Sequence, residues 1–135
     1  MCKARAAAGS DARMSGCPLP VVICSGSGNQ GLTVSMPIIT AAEQLGKSQE
    51  ELYRALAFGN LLTLYIKSGI GKLSAYCGVV VSAGVAGVAA VAFLKGDSQQ
   101  IIEDTVSNGL ANTSGIAREG MKQTDVVILN EMLKH

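Results

Sequence analysis

The stretch Leu73-Ser74-Ala75-Tyr76-Cys77-Gly78-Val79-Val80-Val81-Ser82-Ala83-Gly84-Val85-Ala86-Gly87-Val88-Ala89-Ala90-Val91-Ala92-Phe93-Leu94 carries no charge and is bounded by Lys72 and Lys95. A helix rises about 1.5 Å per residue, so a stretch of this length is enough to cross a bilayer. Its composition argues otherwise. Gly, Ala and Val replace the Leu that makes transfer into lipid favourable, and interfacial aromatic residues are nearly absent. The reading is therefore a helix buried inside a bundle, where small side chains let neighbouring helices approach closely, with Gly96 as its C-cap. No membrane span is expected. The fold class follows: mainly α, a helical bundle around a buried Gly/Ala/Val-rich central helix.

Working outward, Ser48-Gln49-Glu50-Glu51 has the form of a capping box, and Leu52, Leu56, Leu61, Leu62 and Ile66 keep a helical period up to Gly69. Residues 34–45 are mostly apolar; Pro37 fits the first turn of a helix, where a missing N–H costs nothing, and Gly46 ends it. Beyond Gly96, Asp97 or Ser98 caps a helix through Ile101, Ile102, Thr105 and Val106 that is expected to fade at Asn108-Gly109. Residues 111–120 read as loop, and Thr124 caps a final amphipathic helix. Residues 14–31 are rich in turn formers. Strand character is confined to Val21-Val22-Ile23, and the first ten residues have no apolar run long enough for a secretory signal.

Composition narrows the function classes. Among 135 residues, 11 Lys and Arg against 10 Asp and Glu leave a net charge of +1. Nucleic-acid or anionic-membrane binding needs a positive field over a patch of surface, which this balance does not supply. An apolar fraction of 48% supports a real core in a single domain. The four cysteines, at 2, 17, 24 and 77, fit no zinc spacing and no disulfide framework. A reducing, cytoplasmic setting is expected. His135 is the single histidine and is terminal, so no Ser-His or Cys-His catalytic pair is expected.

Gly26-Ser27-Gly28-Asn29-Gln30-Gly31 matches the letters of a dinucleotide fingerprint. That fingerprint needs a strand before it, an uninterrupted helix, a second strand and an acidic residue about 20 positions on. Here Pro37 interrupts, and a capped helix stands where the second strand belongs. A run of Ser, Gly and Asn has another use. Successive backbone N–H groups form a concave anion site, and Ser25, Ser27, Asn29 and Gln30 add hydroxyl and amide donors. A plain flexible turn fits the composition equally. Cys77, read from its apolar surroundings alone, is an inert core thiol.

Four segments in order carry a resemblance: Gly9-Ser10-Asp11-Ala12-Arg13-Met14, then residues 25–31 leading into Met36-Pro37, then Lys72-Leu73-Ser74-Ala75-Tyr76-Cys77, then Asn112-Thr113-Ser114-Gly115. Together they resemble the carboxyl-terminal part of the L-cysteine desulfidase family, also labelled UPF0597, which is related to the α chain of iron-sulfur L-serine dehydratase. The resemblance covers nearly the whole chain, residues 1–135, as one partial domain. It implies a mostly helical domain with a 4Fe-4S cluster held by three cysteines, whose open iron acts as a Lewis acid on the β-substituent of a small amino acid. The products it implies are pyruvate and ammonia, with sulfide when the substrate is L-cysteine.

Carried over residue by residue, the resemblance makes Cys77 a cluster ligand. It assigns Ser25, Gly26, Ser27, Gly28, Asn29 and Gln30 to the substrate's carboxylate and amino group. It adds Asp11 and Arg13 as substrate-binding residues, the Arg pairing with a carboxylate, and Lys72 as the proton-transferring group. The departures from the family pattern are equally specific. Family members are severalfold longer and draw one ligand from a Gly-Cys-Thr segment absent here. Arg118 stands where another cysteine is expected, and residues 121–125 resemble the family's last helix, as if an intervening segment were deleted. One ligand of three implies an inactive isolated chain. The expectation is then either an enzyme piece completed by a partner chain that supplies the amino-terminal half, or a non-catalytic remnant that binds a ligand or assists assembly. Self-association is expected in both cases.

Overall fold

The element written most plainly into the sequence starts at Ser48. Its hydroxyl accepts from the Glu51 N–H at 3.2 Å, and the Glu51 carboxylate accepts from the Ser48 N–H at 2.9 Å. This reciprocal capping box launches a helix of 22 residues (Gln49–Ile70). The Ser48 backbone N–H, with the Lys47 and Ser48 side chains, holds the Glu51 carboxyl down from its ordinary 4.5 to about 2. Its folded value lies below the unfolded one, so the stabilisation is complete above pH 4.5 and fades as pH falls toward 2. Glu51→Gln is expected to flatten that part of the stability–pH curve. Urea midpoints of the two proteins across the interval check this.

The computed structural model describes residues 1–71 and 76–116. In chain order the helices are α1 (Cys2–Met14), α2 (Gly28–Leu45), α3 (Gln49–Ile70), α4 (Val85–Lys95) and α5 (Gln99–Ile116), with a π-helical segment (Val79–Gly84) running directly into α4. α4 is the centre of the bundle, packing on α2, α3 and α5, while α1 lies along α2. Val85, Ala86, Ala89, Ala90 and Leu94 are buried, as the small-residue reading of this helix requires. Phe58 of α3 and Phe93 of α4 stack at a centroid distance of 4.9 Å. Among the described residues no helix is long and apolar enough to cross a membrane.

Small residues set the helix crossings. A Cβ at Gly59 would lie 2.9 Å from Ile38 Cδ1 and 3.1 Å from Ala90 Cβ, so α3 meets α2 and α4 there with no spare room. Ile38 and Ala90 are fully buried. Gly46 and Gly96 end α2 and α4 in the left-handed conformation, with φ of 61° and 83°.

Several local expectations are corrected. Residues 2–10 lie within the first helix. Cys2-Lys3-Ala4-Arg5-Ala6-Ala7-Ala8 has high helix propensity and opens α1, which Arg5 pins to Glu43 of α2 through an ion pair. α2 begins at Gly28, so residues 28–31 are its first turn rather than loop, and Pro37 lies in its interior. Pro37 has no N–H for the Thr33 carbonyl. The Gly87 backbone of α4 packs against that carbonyl, where a Cβ would sit 3.2 Å from the oxygen.

α5 passes through Asn108-Gly109 because the helix uses Gly109 as a packing surface, its missing Cβ making room for Val85 about 3.0 Å away. The expected loop at 111–120 is therefore helical as far as Ile116. Val21-Val22-Ile23 forms no strand. Its surroundings hold only an isolated bridge between Cys24 and Ser27. Tyr76 and Cys77 are not helical, and the helix of the central stretch that includes α4 begins at Gly78. The helix expected from Thr124 lies outside the described residues.

Candidate functional site

The head of α2 is built by a two-residue reversal. Cys24 and Ser27 exchange backbone hydrogen bonds at 3.2 and 3.1 Å across Ser25 and Gly26, which both have positive φ, 50° and 84°. Gly26 takes that conformation freely; Ser25 is the one non-Gly residue with positive φ among those described. The turn delivers Ser27 as the N-cap of α2, its hydroxyl accepting from the Gln30 N–H at 3.5 Å. Gly31 then passes directly under the incoming chain, where a Cβ would stand 1.9 Å from the Val22 carbonyl oxygen. Ser25 to Gly31 thus form a cradle at the positive end of an 18-residue helix.

Arg13 reaches this cradle from α1. Its Nη1 donates to Asn29 Oδ1 at 3.1 Å, and its Nε lies 2.8 Å from where a Gly28 Cβ would be. Asn29 Nδ2 in turn contacts the Met14 sulfur at 3.4 Å. The structure therefore brings Arg13 together with Gly28 and Asn29 on the outer side of the cradle. Asp11 is exposed on α1. Lys72 lies outside the described residues.

The inner side faces the central helix. Gln30 is buried, and its side chain approaches Gly78, where a Cβ would lie 3.1 Å from Nε2. Ser82 of the π-helical segment has its hydroxyl within hydrogen-bond reach of Gln30 Oε1, at 3.3 Å, and of the Gly78 carbonyl. Gly78 directly follows Cys77, whose carbonyl accepts from the Val80 and Val81 N–H groups at 3.0 Å. Cys77 is exposed and stands at the start of the central helical run. The segment that bears the thiol is thus adjacent to the Gly-rich cradle.

Two participants were not legible as such in the sequence. Ser82 lies in the apolar run and carries no motif. Lys67 is 9% exposed, and its Nζ lies 2.7 Å from the same Gly78 Cβ position. The signal for Lys67 was the period of α3, since Gly59, Thr63, Ile66 and Lys67 share one buried stripe. A lysine on the buried stripe of an amphipathic helix needs an explanation.

A cluster bound through three thiolates makes a specific demand. Among the described residues no group of three or more His, Cys, Asp or Glu is placed to hold a metal ion. Cys24 is buried, and desolvation pushes its thiol up despite a hydrogen bond with Thr63. That environment opposes the thiolate form iron needs. Cys17 is exposed and Cys2 lies on α1. The donor set of the described residues does not fit a 4Fe-4S cluster by itself.

The profile of the family described as "Serine dehydratase alpha chain" matches residues 1–124. A UPF0597 protein of Desulfitobacterium hafniense (strain Y51) is 55% identical over 120 residues, which is 89% of this chain and 28% of the relative. UPF0597 proteins of Lachnoclostridium phytofermentans and Finegoldia magna are each 52% identical, over 90% and 89% of this chain and 29% and 28% of their own lengths. This chain therefore spans less than a third of the length of these relatives. No solved structure matches. With a family profile matched across the cradle, the arginine beside it and the Cys77 segment, the chain belongs to the serine dehydratase α-chain family.

Proposed function

We propose that this chain supplies the amino-acid-binding part of a β-eliminating lyase, with L-cysteine as the substrate, converted with water to pyruvate, ammonia and sulfide. The observation that carries this reading is the approach of buried Gln30, from the first turn of α2, to Gly78, the neighbour of Cys77. A substrate held at the cradle has its β-substituent within reach of the thiol-bearing segment. The first turn of α2 offers backbone N–H groups to a carboxylate. Arg13, engaged with Asn29 Oδ1, fixes the outer wall of the cradle.

Completion of the site by further polypeptide fits the surface of α3, where Tyr53, Leu61, Leu64 and Tyr65 are all exposed. Such a stripe suits a partner chain that carries the remaining length of the family sequence, or a second copy of this chain.

The test is complementation. The chain is co-expressed with the preceding part of the Desulfitobacterium hafniense relative, treated anaerobically with iron and sulfide, and given L-cysteine. Pyruvate and sulfide in equal amounts are expected from the pair. A pair that binds the amino acid and releases neither product would replace the lyase reading with a ligand-binding remnant.

A further inference from the structure

The π-helical segment and α4 meet α5 along an open groove of about 480 Å³. Val80, Gly84 and Val88, about one helical turn apart, form one wall, and Thr105, Asn108 and Asn112 of α5 form the other. The floor is closed where Gly109 admits Val85. Val80 and Val88 are 51% and 58% exposed, and Ile101 extends the α5 side as a further exposed apolar residue. A Cβ at Gly84 would meet only the Val79 carbonyl oxygen, at 3.3 Å, so among the described residues nothing fills the notch between the two valines. Apolar side chains left in water on both sides of an unfilled notch mark a contact surface.

The chemistry of the lining selects the occupant. Among the described residues no Lys, Arg, Asp or Glu lines the groove, so a charged partner has nothing there to pair with. Two copies related by a two-fold axis make a particular demand: residues near the axis meet their own counterparts, and any charge there repels itself. An uncharged lining meets that demand. Asn108 and Asn112 are exposed, and a side-chain amide carries both a donor and an acceptor, so it pairs with an identical amide where a carboxylate or an ammonium does not. The Thr105 hydroxyl donates to the Ile101 carbonyl at 2.7 Å and the Thr113 hydroxyl to the Gly109 carbonyl at 3.0 Å. The two asparagines are therefore the polar side chains of the groove that face a partner.

We propose that a second copy of this chain covers the groove through a two-fold interface. The asparagine amides pair across it, and valines of each copy pack into the notch at Gly84 of the other. The contact uses the π-helical segment, α4 and α5, and it leaves the exposed stripe of α3 to the remaining family sequence. Self-association and completion of the site thus take different surfaces and are compatible.

Sedimentation equilibrium of the full chain tests this, and the parent is expected to be a dimer. Val88→Glu and Asn108→Asp alter exposed residues on opposite walls of the groove. Each is expected to weaken the dimer at least tenfold, because every interface then buries a pair of like charges. Leu61→Glu, on the exposed stripe of α3, is expected to leave the dimer unchanged, and circular dichroism of all three variants to match the parent. A monomeric parent, a dimer that survives both groove variants, or a dimer dissolved by Leu61→Glu alone would each overturn the assignment. A monomeric parent that Val88→Glu makes less resistant to urea would give the groove to residues 117–135 of the same chain. A dimer converted to a one-to-one complex by the co-expressed part of the Desulfitobacterium hafniense relative would give it to the remaining family sequence. Sulfide release by that pair from a monomeric chain would leave the lyase reading standing and remove this inference. A groove-dependent dimer alongside failed complementation would do the reverse.

Discussion

Gly31→Ala is expected to destabilise the chain by about 3 kcal/mol and to abolish amino-acid binding, although alanine is the better helix former. Helix propensity alone favours alanine by roughly 1 kcal/mol. Against that gain stands a backbone collision. The new Cβ would lie 1.9 Å from the Val22 carbonyl oxygen and 3.0 Å from its carbon. A clash with a flexible side-chain end is relieved by rotation, but a carbonyl moves only with the chain that carries it. Residues 22–24 lead directly into the Cys24–Ser27 turn, so displacing Val22 shifts the N-cap of α2 and the cradle with it. Overpacking costs of about 1–3 kcal/mol are usual where side chains give way, and a backbone obstacle belongs at the upper end. Urea denaturation followed by circular dichroism measures the first effect and titration with L-serine the second. A variant as stable as the parent, with binding intact, would mean that the incoming chain does not cross α2 at this point.

What the sequence revealed and what it hid divide along physical lines. Ser48 with Glu51, Gly46 and Gly96 act locally, through hydrogen bonds or backbone conformation within a few residues, and each stands where the sequence put it. The central helix was legible too, because a long charge-free run of small residues has few other ways to be buried. The misreadings came from glycine and proline, whose local meaning is to stop a helix and whose tertiary meaning is to admit a neighbour. Gly109 admits Val85, and Pro37 sits where α4 already crowds the Thr33 carbonyl. Residues 28–31 were read as loop for the same reason, since nothing local says that Gly31 is shaped by the Val22 carbonyl. The cradle residues could be named from motif order, but their division into an outer wall with Arg13 and an inner wall with Gln30 and Lys67 required three helices to be placed. Lys67 was signalled only by its position on the buried stripe of α3.

The crossing of α2, α3 and α4 yields a sharper expectation, a change of sign. Ile38 is fully buried, and its Cδ1 is the atom nearest to a Cβ at Gly59, at 2.9 Å, followed by Ala90 Cβ and Val34 Cγ2 at 3.1 Å. Ile38→Ala is expected to cost about 3 kcal/mol, from lost burial plus the cavity left behind. Gly59→Ala in the parent is expected to cost about 1–2 kcal/mol, because the three contacts outweigh the gain in helix propensity. In the Ile38→Ala background the nearest obstacle is gone, and the new cavity lets Val34 move aside. The Cβ at position 59 then fills space instead of contesting it, and the propensity gain is no longer offset. Gly59→Ala should therefore stabilise Ile38→Ala by about 1 kcal/mol, a coupling of 2–3 kcal/mol between touching residues. Urea midpoints of the four proteins in this cycle decide the matter. Additive losses would mean that α3 and α2 are held apart at this crossing and that Gly59 is not the point at which they meet.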